Sequence, residues 1–288
     1  MGPTASGKSD VAESVAERLD ARLINADAFQ VYKGLNIGTN KPSDPARYDL
    51  IDVIDPSEGF GVGNWVSRVL PILQETFLEG RSVVVVGGTG LYIRALFEEY
   101  NDMAAAPSAD LRVSLQDVPL QDLVDRLLEL DPETLVDLSN PVRVRRALER
   151  LLTGDTRIKV NLPPFRRFKF GLLADPMVLN SRIERRTEEM WAKGWPEEVS
   201  FLLSTGVPSH APGFRAIGYQ SVVRYLLGEP DAEEAKRNIC LRTRQYAKRQ
   251  RAWLRSEPSL VGLSATTESD IATAVEKILA AVKSRGEK

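Results

Sequence analysis

The chain has 288 residues, of which 43% are hydrophobic and 27% are charged, with a formal net charge of −2. These values are ordinary for a soluble globular protein, and the length predicts one large domain or two modest ones. The single cysteine, Cys240, and the single histidine, His210, exclude an intrachain disulfide and the common zinc sites. The sequence shows no signal peptide and no apolar run of about 20 residues, so we expect a cytoplasmic protein that does not cross a membrane.

Residues 2–9, Gly-Pro-Thr-Ala-Ser-Gly-Lys-Ser, fit the phosphate-binding pattern G-x-x-x-x-G-K-[ST]. The glycines let successive backbone N–H groups point into one concavity, and the helix that begins at Lys8 adds the positive end of its dipole. The pattern predicts a diphosphate or triphosphate ligand, with Mg²⁺ on the Ser9 hydroxyl. The residues predicted to hold the phosphates are Gly2, Thr4, Ala5, Ser6, Gly7, Lys8 and Ser9.

A buried strand normally leads into such a loop, whereas this loop begins at residue 2. Either the chain begins downstream of its natural start or the fold lacks that strand. The residues leave both alternatives open.

The first hundred residues predict alternating helices and strands. We expect a helix at 8–19, a strand at 22–25 that leads to Asp27, and a strand at 50–56 that Pro56 stops. A helix follows at 62–78, where Pro71 predicts a kink or a late start. The strand at 82–86 is apolar on both faces, as in a buried parallel sheet, and runs into Gly-Gly-Thr-Gly and a helix from Leu91. This order predicts a doubly wound α/β fold.

After residue 100 the pattern is helical, with a returning strand at 168–173. Helices are predicted at 111–116, 120–130, 142–152, 179–193, 197–203, 235–255 and 271–282. The expected fold is therefore a P-loop NTPase-like, doubly wound parallel sheet with an α-helical insertion domain. We expect residues 1–106 to form the first part of the core, 107–170 the helical insert, and 171–288 the rest of the core with basic C-terminal helices.

Charge is unevenly distributed along the chain. Residues 98–139 are strongly acidic, residues 140–186 are basic, and residues 236–255 contain no acid at all. Basic segments in a chain of net negative charge predict a local site for a polyanion. The commoner alternative for each basic helix is a solvated face.

The strand at 82–86 ends without the aspartate that commonly holds Mg²⁺ in kinases and ATPases. Phosphoryl transfer is therefore disfavoured. What remains is a site that grips phosphates beside one candidate base, Asp27.

Six groups of residues lie in order between residues 2 and 255. They are the phosphate loop, residues 25–34 with 37–39 and 41–42, residues 87–92, Arg143 with 146–149, residues 214–219, and residues 243–250 with 253–255. Together they resemble the tRNA dimethylallyltransferase family over nearly the whole chain.

The resemblance implies transfer of a dimethylallyl group from its diphosphate to N6 of the adenine next to the anticodon of tRNA, position 37. The phosphate loop would hold the departing diphosphate with Mg²⁺, Asp27 would be the general base, and Thr89 and Arg215 would be catalytic donors. The implied partners are dimethylallyl diphosphate and the tRNA anticodon stem-loop, which the insert would reach, and we expect a monomer. The residues implied to contact tRNA are Asp27, Ala28, Phe29, Gln30, Val142, Arg143, Arg145, Arg146, Arg242, Gln245 and Arg249.

Two positions depart from the family pattern, since Ala28 stands where serine is common and Val142 where glutamine is common. The insert is also shorter than usual. Asp27 could instead cap the following turn, and Thr89 could cap a helix. The rival functions are prenylation of free AMP or another adenylate, a small-molecule kinase, and a non-catalytic RNA-binding protein.

Overall fold

The computed structural model describes residues 1–97, 109–154, 162 and 164–284. The domain boundary expected at 106/107 and the chain end at 285–288 lie outside these residues. No helix in the described part is long and apolar enough to cross a bilayer.

The chain forms short strands and longer helices, in the order expected for an α/β core. Their bounds are α1 Lys8–Leu19, β1 Arg22–Asn25, β2 Tyr48–Asp49, α2 Val62–Leu78, β3 Val83–Val86, α3 Gly90–Phe97, α4 Ala109–Gln116, α5 Leu120–Leu130, α6 Pro141–Thr153, β4 Lys169–Leu173, α7 Pro176–Ala192, α8 Trp195–Ser204, α9 Tyr219–Leu226, α10 Ala232–Ser256, β5 Leu260–Ser264 and α11 Glu268–Ser284.

Two parallel sheets carry the core. The first has the strand order β2-β1-β3, with Arg22 opposite Val83 and Leu23 opposite Tyr48, and the second pairs β4 with β5. Helix α1 packs against Leu23 and Val86, while α2 and α3 pack with Ile24. Helices therefore cover both faces, which confirms the doubly wound α/β fold.

The strand predicted at 50–56 is wrong. The strand in this region is the two-residue β2, and the following residues turn because Leu50 and Asp52 have positive φ angles of 67° and 55°. Ile54 retains only an isolated parallel bridge to Tyr32. Leu50 and Ile54 are nevertheless buried, so their hydrophobicity reflects packing of a loop rather than a strand.

Helix starts follow the capping residues. The Asn140 side chain accepts hydrogen bonds from Val142 and Arg143 backbone N–H groups, and Asp175 caps α7 in the same manner through Met177. Helix α2 begins at Val62, so it does not start late, and it continues through Pro71. The Pro71 side chain is exposed to solvent.

Helices α4, α5 and α6 form a separate apolar cluster within the segment predicted as the insert. Its buried side chains are Leu115, Leu123, Leu127, Val144, Ala147 and Leu148. Because this cluster is closed among its own helices, α6 is held as a rigid element that presents its outer face.

Candidate active site

The phosphate loop runs from Gly2 to Ser9 and turns sharply into α1. Gly7 has a φ of 78°, which an L side chain rarely adopts, and Ala5 is also left-handed with a φ of 63°. The Ser6 N–H donates to the Pro3 carbonyl at 3.3 Å. The Ser6 hydroxyl is buried and has no hydrogen-bond partner among the described residues. These features give the loop a tight turn into α1.

Two half-buried cations lie at this loop, Lys8 within it and Arg186 on α7. Burial lowers the pKa of Lys8, and the negative charge of Asp27 acts in the opposite direction. Burial likewise lowers the pKa of Arg186, on which Asp27 again acts in the opposite direction, and its guanidinium donates to the Thr4 hydroxyl. Lys8, Arg186 and Asp27 therefore lie within one electrostatic site, where the two cations can accept a multiply charged anion.

Asp27 and Thr89 follow adjacent parallel strands, β1 and β3, so they meet at the carboxyl edge of the sheet. One Asp27 oxygen, Oδ1, accepts from the Phe29 N–H at 2.9 Å, so Asp27 does cap the following turn. Its Oδ2 makes no hydrogen bond with any described residue. The Thr89 hydroxyl accepts from the Ala28 N–H at 3.1 Å. The turn thus fixes the carboxylate while leaving one oxygen for chemistry.

Helix α10 joins the two anion-facing loops through Gln250. The Gln250 side chain accepts from the Thr4 N–H at 2.8 Å and donates to the Gly88 carbonyl at 3.0 Å. A side chain at Gly88 would overlap Gln250, and one at Gly90 would overlap the Trp253 ring. Glycines at these positions let α10 approach the loop closely enough to hold it.

Tyrosines line the wall next to Asp27. Burial, followed by the charge of Asp27, raises the pKa of Tyr246 and of Tyr92 above its ordinary value. The Tyr246 hydroxyl also interacts with Thr89. Neutral aromatic surface beside a carboxylate gives a planar base both a stacking partner and a proton acceptor.

Arg215 and Gln30 lie at the rim of this site. Arg215 is exposed at the end of a short 3₁₀ helix, Pro212–Arg215, where its charge acts on the Tyr32 hydroxyl. The Gln30 amide donates to the backbone carbonyls of Thr39 and Asn40, at 3.1 and 3.0 Å, and so holds the following loop together. Phe29 packs against Tyr32, with their ring centroids 6.4 Å apart.

The basic residues predicted on α10 are on its surface, and their face borders the site. Arg242, Gln245 and Arg249 are exposed, and the Arg249 guanidinium lies 5.8 Å from the Tyr246 ring centroid. This face leads from solvent to the tyrosine wall.

The basic residues of α6 occupy the insert. Val142 and Arg143 are exposed, and Arg143 pairs with Asp137 at 3.6 Å. Arg146 pairs with Glu149 at 2.8 Å and lies beside Gly61, next to the start of α2. The Arg145 Nε is buried without a hydrogen-bond partner among the described residues.

The described residues contain no group of three or more histidine, cysteine, aspartate or glutamate side chains that could hold a metal ion. Ser9 offers one hydroxyl oxygen at the start of α1, and Asp27 offers a carboxylate nearby. This donor set fits Mg²⁺, which keeps several waters and takes further oxygens from substrate phosphates.

Comparison with known proteins agrees with this geometry. The sequence profile of the IPP transferase family matches residues 30–257. The chain belongs to this family. A tRNA dimethylallyltransferase of Geobacter metallireducens is 38% identical over 280 residues, which are 91% of this chain and 90% of that protein. One from Pelotomaculum thermopropionicum is 37% identical over 88% of this chain and 86% of that protein.

Solved structures of the IPP transferase family have the same architecture. The tRNA isopentenylpyrophosphate transferase of Bacillus halodurans superposes with a TM-score of 0.72 at 31% identity, covering 99% of this chain and 96% of that one. A eukaryotic dimethylallyltransferase acting on tRNA superposes with a TM-score of 0.80 at 23% identity, covering 98% of this chain and 77% of that one. At this identity the likeness concerns the fold alone.

Sequence reasoning missed the roles of Arg186 and Gln250. Arg186 belongs to an ordinary amphipathic pattern on α7. The one sequence feature that indicates its role is Arg182, which lies one turn earlier on the same helix face. The Arg182 guanidinium donates to the Ala5 carbonyl at 3.4 Å and to the Ala265 carbonyl at 2.9 Å, so both arginines face the loop. Gln250 lies inside the basic segment 236–255, which the sequence predicts to be a surface for a polyanion.

Proposed function

We propose that this protein transfers a dimethylallyl group from dimethylallyl diphosphate to N6 of adenine 37 in tRNA and releases diphosphate. The observation that carries the proposal is the charge of Asp27, which acts on both half-buried cations, Lys8 and Arg186. This arrangement supports a carboxylate base beside a site for a dianion. The two substrates are inferred from the name of the tRNA dimethylallyltransferases to which the chain is similar.

The donor half of the site stabilises a leaving group. As the bond between the allylic carbon and the diphosphate oxygen breaks, its electron pair moves onto the diphosphate. Lys8, Arg186 and the loop N–H groups other than those of Thr4 and Ser6 would face that developing charge and so would stabilise the transition state more than the ground state. Thr89, and Arg215 from the rim, are further proposed donors.

The acceptor half of the site activates the adenine amine. The N6 lone pair forms the new bond to the allylic carbon, and the N6 proton passes to the carboxylate of Asp27. The Phe29 N–H holds Oδ1, which leaves Oδ2 as the proton acceptor. The half-buried Tyr246 provides the ring on which the purine would stack, and the buried Tyr92 lies in the core beside Asp27.

Mg²⁺ would be held by the Ser9 hydroxyl together with oxygens of the diphosphate and water. When bound, it supplies Lewis-acid stabilisation of negative charge on the diphosphate. The side chains of the phosphate loop orient the same group whether or not the ion shares the charge.

The tRNA would lie along α10 and reach α6. N6 of a stacked adenine is inaccessible, so the base must be extracted into the site. The exposed face of Arg242, Gln245 and Arg249 leads to Tyr246 and suits an unstacked anticodon loop. Arg143, Arg145, Arg146 and Val142 on α6 would grip the stem-loop. We further propose that the protein is cytoplasmic and that it is a monomer. Light scattering would test the oligomeric state.

The direct test is incubation of unmodified tRNA with the protein, Mg²⁺ and dimethylallyl diphosphate, followed by mass analysis of the adenines. We expect a dimethylallyl adduct at one adenine next to the anticodon. Parallel incubations with AMP and with γ-labelled ATP should give no prenylated nucleotide and no phosphorylated product. Prenylated AMP would favour an adenylate acceptor, and a labelled phosphoryl product would favour a kinase.

The substitution Asp27→Asn separates the proposed role of Asp27 as a base from its role in holding the turn. Asparagine retains the oxygen that accepts from the Phe29 N–H, but it cannot take up the N6 proton. Turnover should fall by roughly 10²–10⁴-fold while tRNA affinity stays near that of the unaltered protein. A matching loss of tRNA affinity would show that Asp27 positions the RNA instead.

A further inference from the structure

Four hydrogen-bond donors converge on the carboxylate of Glu198, which lies in the first turn of α8. Its Oε2 accepts from the backbone N–H groups of Asn36 and Ile37, at 2.8 and 2.7 Å. Its Oε1 accepts from the Tyr219 hydroxyl at 2.7 Å and, more weakly, from the Gly38 N–H at 3.4 Å. Successive backbone N–H groups form a concave site for an anion, and here the carboxylate occupies it. Glu198 therefore joins two segments that lie far apart in the sequence.

The first of these segments is the loop of residues 36–40, which is bonded to the turn that follows Asp27. Gln30 lies in that turn, and its side-chain amide donates to the Thr39 and Asn40 carbonyls of the loop, at 3.1 and 3.0 Å. The carboxylate thus holds one end of the loop while the other end orients Gln30. A shift of the loop would therefore be passed on to the turn beside the proposed base.

The second segment, residues 212–219, carries Arg215. Tyr219 is fully buried, and its ring stacks on that of Phe214 with the centroids 5.6 Å apart. Its backbone N–H donates to the Ala216 carbonyl at 3.3 Å. Arg215 is exposed between the buried Phe214 and Ala216. The bond from the Tyr219 hydroxyl to the carboxylate therefore fixes the segment from which Arg215 extends.

Trp195, one turn before Glu198 on α8, packs between the same two segments. Its ring lies against Gly38 of the loop and Gly218 of the second segment, and a Cβ at either glycine would come within 2.2 Å of a ring atom. Trp195 is buried, so its position is set by the core. The first turn of α8 is therefore a common support for the loop and for the segment that carries Arg215.

We propose that Glu198 is a positioning residue for the transfer reaction, whose carboxylate holds the 36–40 loop and the 212–219 segment at a fixed separation on the rim of the site. It acts through the loop on Gln30 and through Tyr219 on Arg215. A carboxylate suits this place because its two oxygens offer about four acceptor positions for the four donors. The inference rests on the proposed transferase function.

The test compares Glu198→Ala, Glu198→Gln and Tyr219→Phe with the matched control Glu197→Ala. Glu197 is exposed in the same helix turn, and its side chain makes no hydrogen bond with a described residue. Each variant is assayed below its measured Tm, so that turnover is compared between folded proteins.

We expect Glu198→Ala to lower kcat and to raise KM for tRNA, together by roughly tenfold to a hundredfold, because small misplacements of reacting groups are costly. Glu198→Gln keeps one oxygen for the Asn36 and Ile37 N–H groups and should recover most of that loss. Tyr219→Phe frees only the Arg215 segment, so it should lower kcat by roughly threefold or more and leave KM for tRNA within about twofold.

Two measurements do not depend on transfer. Hydrogen exchange at the amides of residues 36–38 should be about tenfold faster in Glu198→Ala than in Glu197→Ala. The affinity for inorganic diphosphate with Mg²⁺, measured by calorimetry, should stay within about twofold in every variant, since Lys8 and Arg186 lie at the phosphate loop rather than on α8.

Faster exchange with unchanged kcat and KM would overturn the proposal, because Glu198 would then only stabilise the loop. Equal kinetic losses in Glu197→Ala would overturn it too. If Glu198→Ala does not fold, an unchanged kcat in Tyr219→Phe overturns it. An active unaltered protein with unaffected variants refutes this inference alone, whereas an unaltered protein that transfers no dimethylallyl group refutes the proposed function and this inference with it.

Discussion

Arg186 and Arg185 are neighbours on α7 but have different surroundings. Arg186 is half-buried and donates to the Thr4 hydroxyl of the phosphate loop, whereas the Arg185 side chain is 76% exposed and pairs with Glu189 at 3.5 Å. Arg186→Ala should raise KM for dimethylallyl diphosphate and lower kcat, together by roughly 10²–10³-fold, because the guanidinium faces charge that grows in the transition state. Steady-state kinetics would measure both constants.

Arg185→Ala is the matched control for that change. It removes the same charge from the same helix turn without reaching the loop, so its kinetics should stay near those of the unaltered protein. Equal effects from the two substitutions would mean that α7 acts through its overall charge and that Arg186 has no place at the diphosphate.

At the residue scale, the sequence could place the groups that follow strands but not those that arrive from helices. Asp27 and Thr89 were predictable because parallel strands bring their carboxyl ends to one edge. Arg186 and Gln250 reach the same edge only because α7 and α10 pack with particular rotations. Local spacing does not fix those rotations, since the same amphipathic pattern suits any surface helix.

At the element scale, α6 tests the RNA surface. The double substitution Arg143→Ala with Arg146→Ala should weaken tRNA binding and reduce the slope of log K against log salt by about 1–2. The pair of Arg143 with Asp137 is exposed and contributes little to stability, whereas Glu149, the partner of Arg146, is buried and keeps a second cation, Arg112, at 3.9 Å. Filter binding of tRNA at several salt concentrations would give the slope.

Arg18 provides the control for α6. It lies near the carboxyl end of α1, about 15 Å along the helix from the phosphate loop, where it pairs with Glu276. Arg18→Ala should leave the slope unchanged. A slope that is equally unaffected by the α6 changes would identify that helix as a solvated face.

Elements with strong local signals were predicted close to their observed bounds, as for α1, β1, α2 and β3. Strand β5 and helix α9 were missed, and their stability comes from distant partners. β5 has only Leu263 buried and exists by pairing with β4, while α9 begins directly after Gly218, whose φ is 97°. The strand predicted at 50–56 was wrong for a different reason. Residues of this loop are buried, and a buried loop shows the same apolar sequence pattern as a buried strand.

At the scale of the whole molecule, side chains of α10 and of Glu257, which caps its carboxyl end, connect the separate sheets. The buried Glu257 accepts from Arg94 on α3 at 2.8 Å and from Lys169 on β4, also at 2.8 Å. The Arg94 guanidinium stacks on the Trp253 ring at 4.0 Å. Together with the Gln250 bridge to the phosphate loop, these contacts make the active site and the junction between sheets one cooperative unit.

The Met1 amino group donates to the Phe170 carbonyl of β4 at 2.7 Å, and it should couple global stability to pH. Its pKa is about 5 in the folded chain, against 8.0 ordinarily. Between these values the unfolded chain binds more protons, so the free energy of unfolding should fall as pH decreases from about 8 to about 5. It should level off above pH 8. Three pKa units limit the loss to about 4 kcal/mol.

Urea unfolding at several pH values, on protein that retains Met1, would measure this loss. Acetylation of the amino terminus should flatten the profile, because an amide carries no titrating proton. His210→Gln removes the chain's single histidine and should leave the slope in place. Identical profiles for the acetylated and free proteins would show that the buried amino group does not govern the transition.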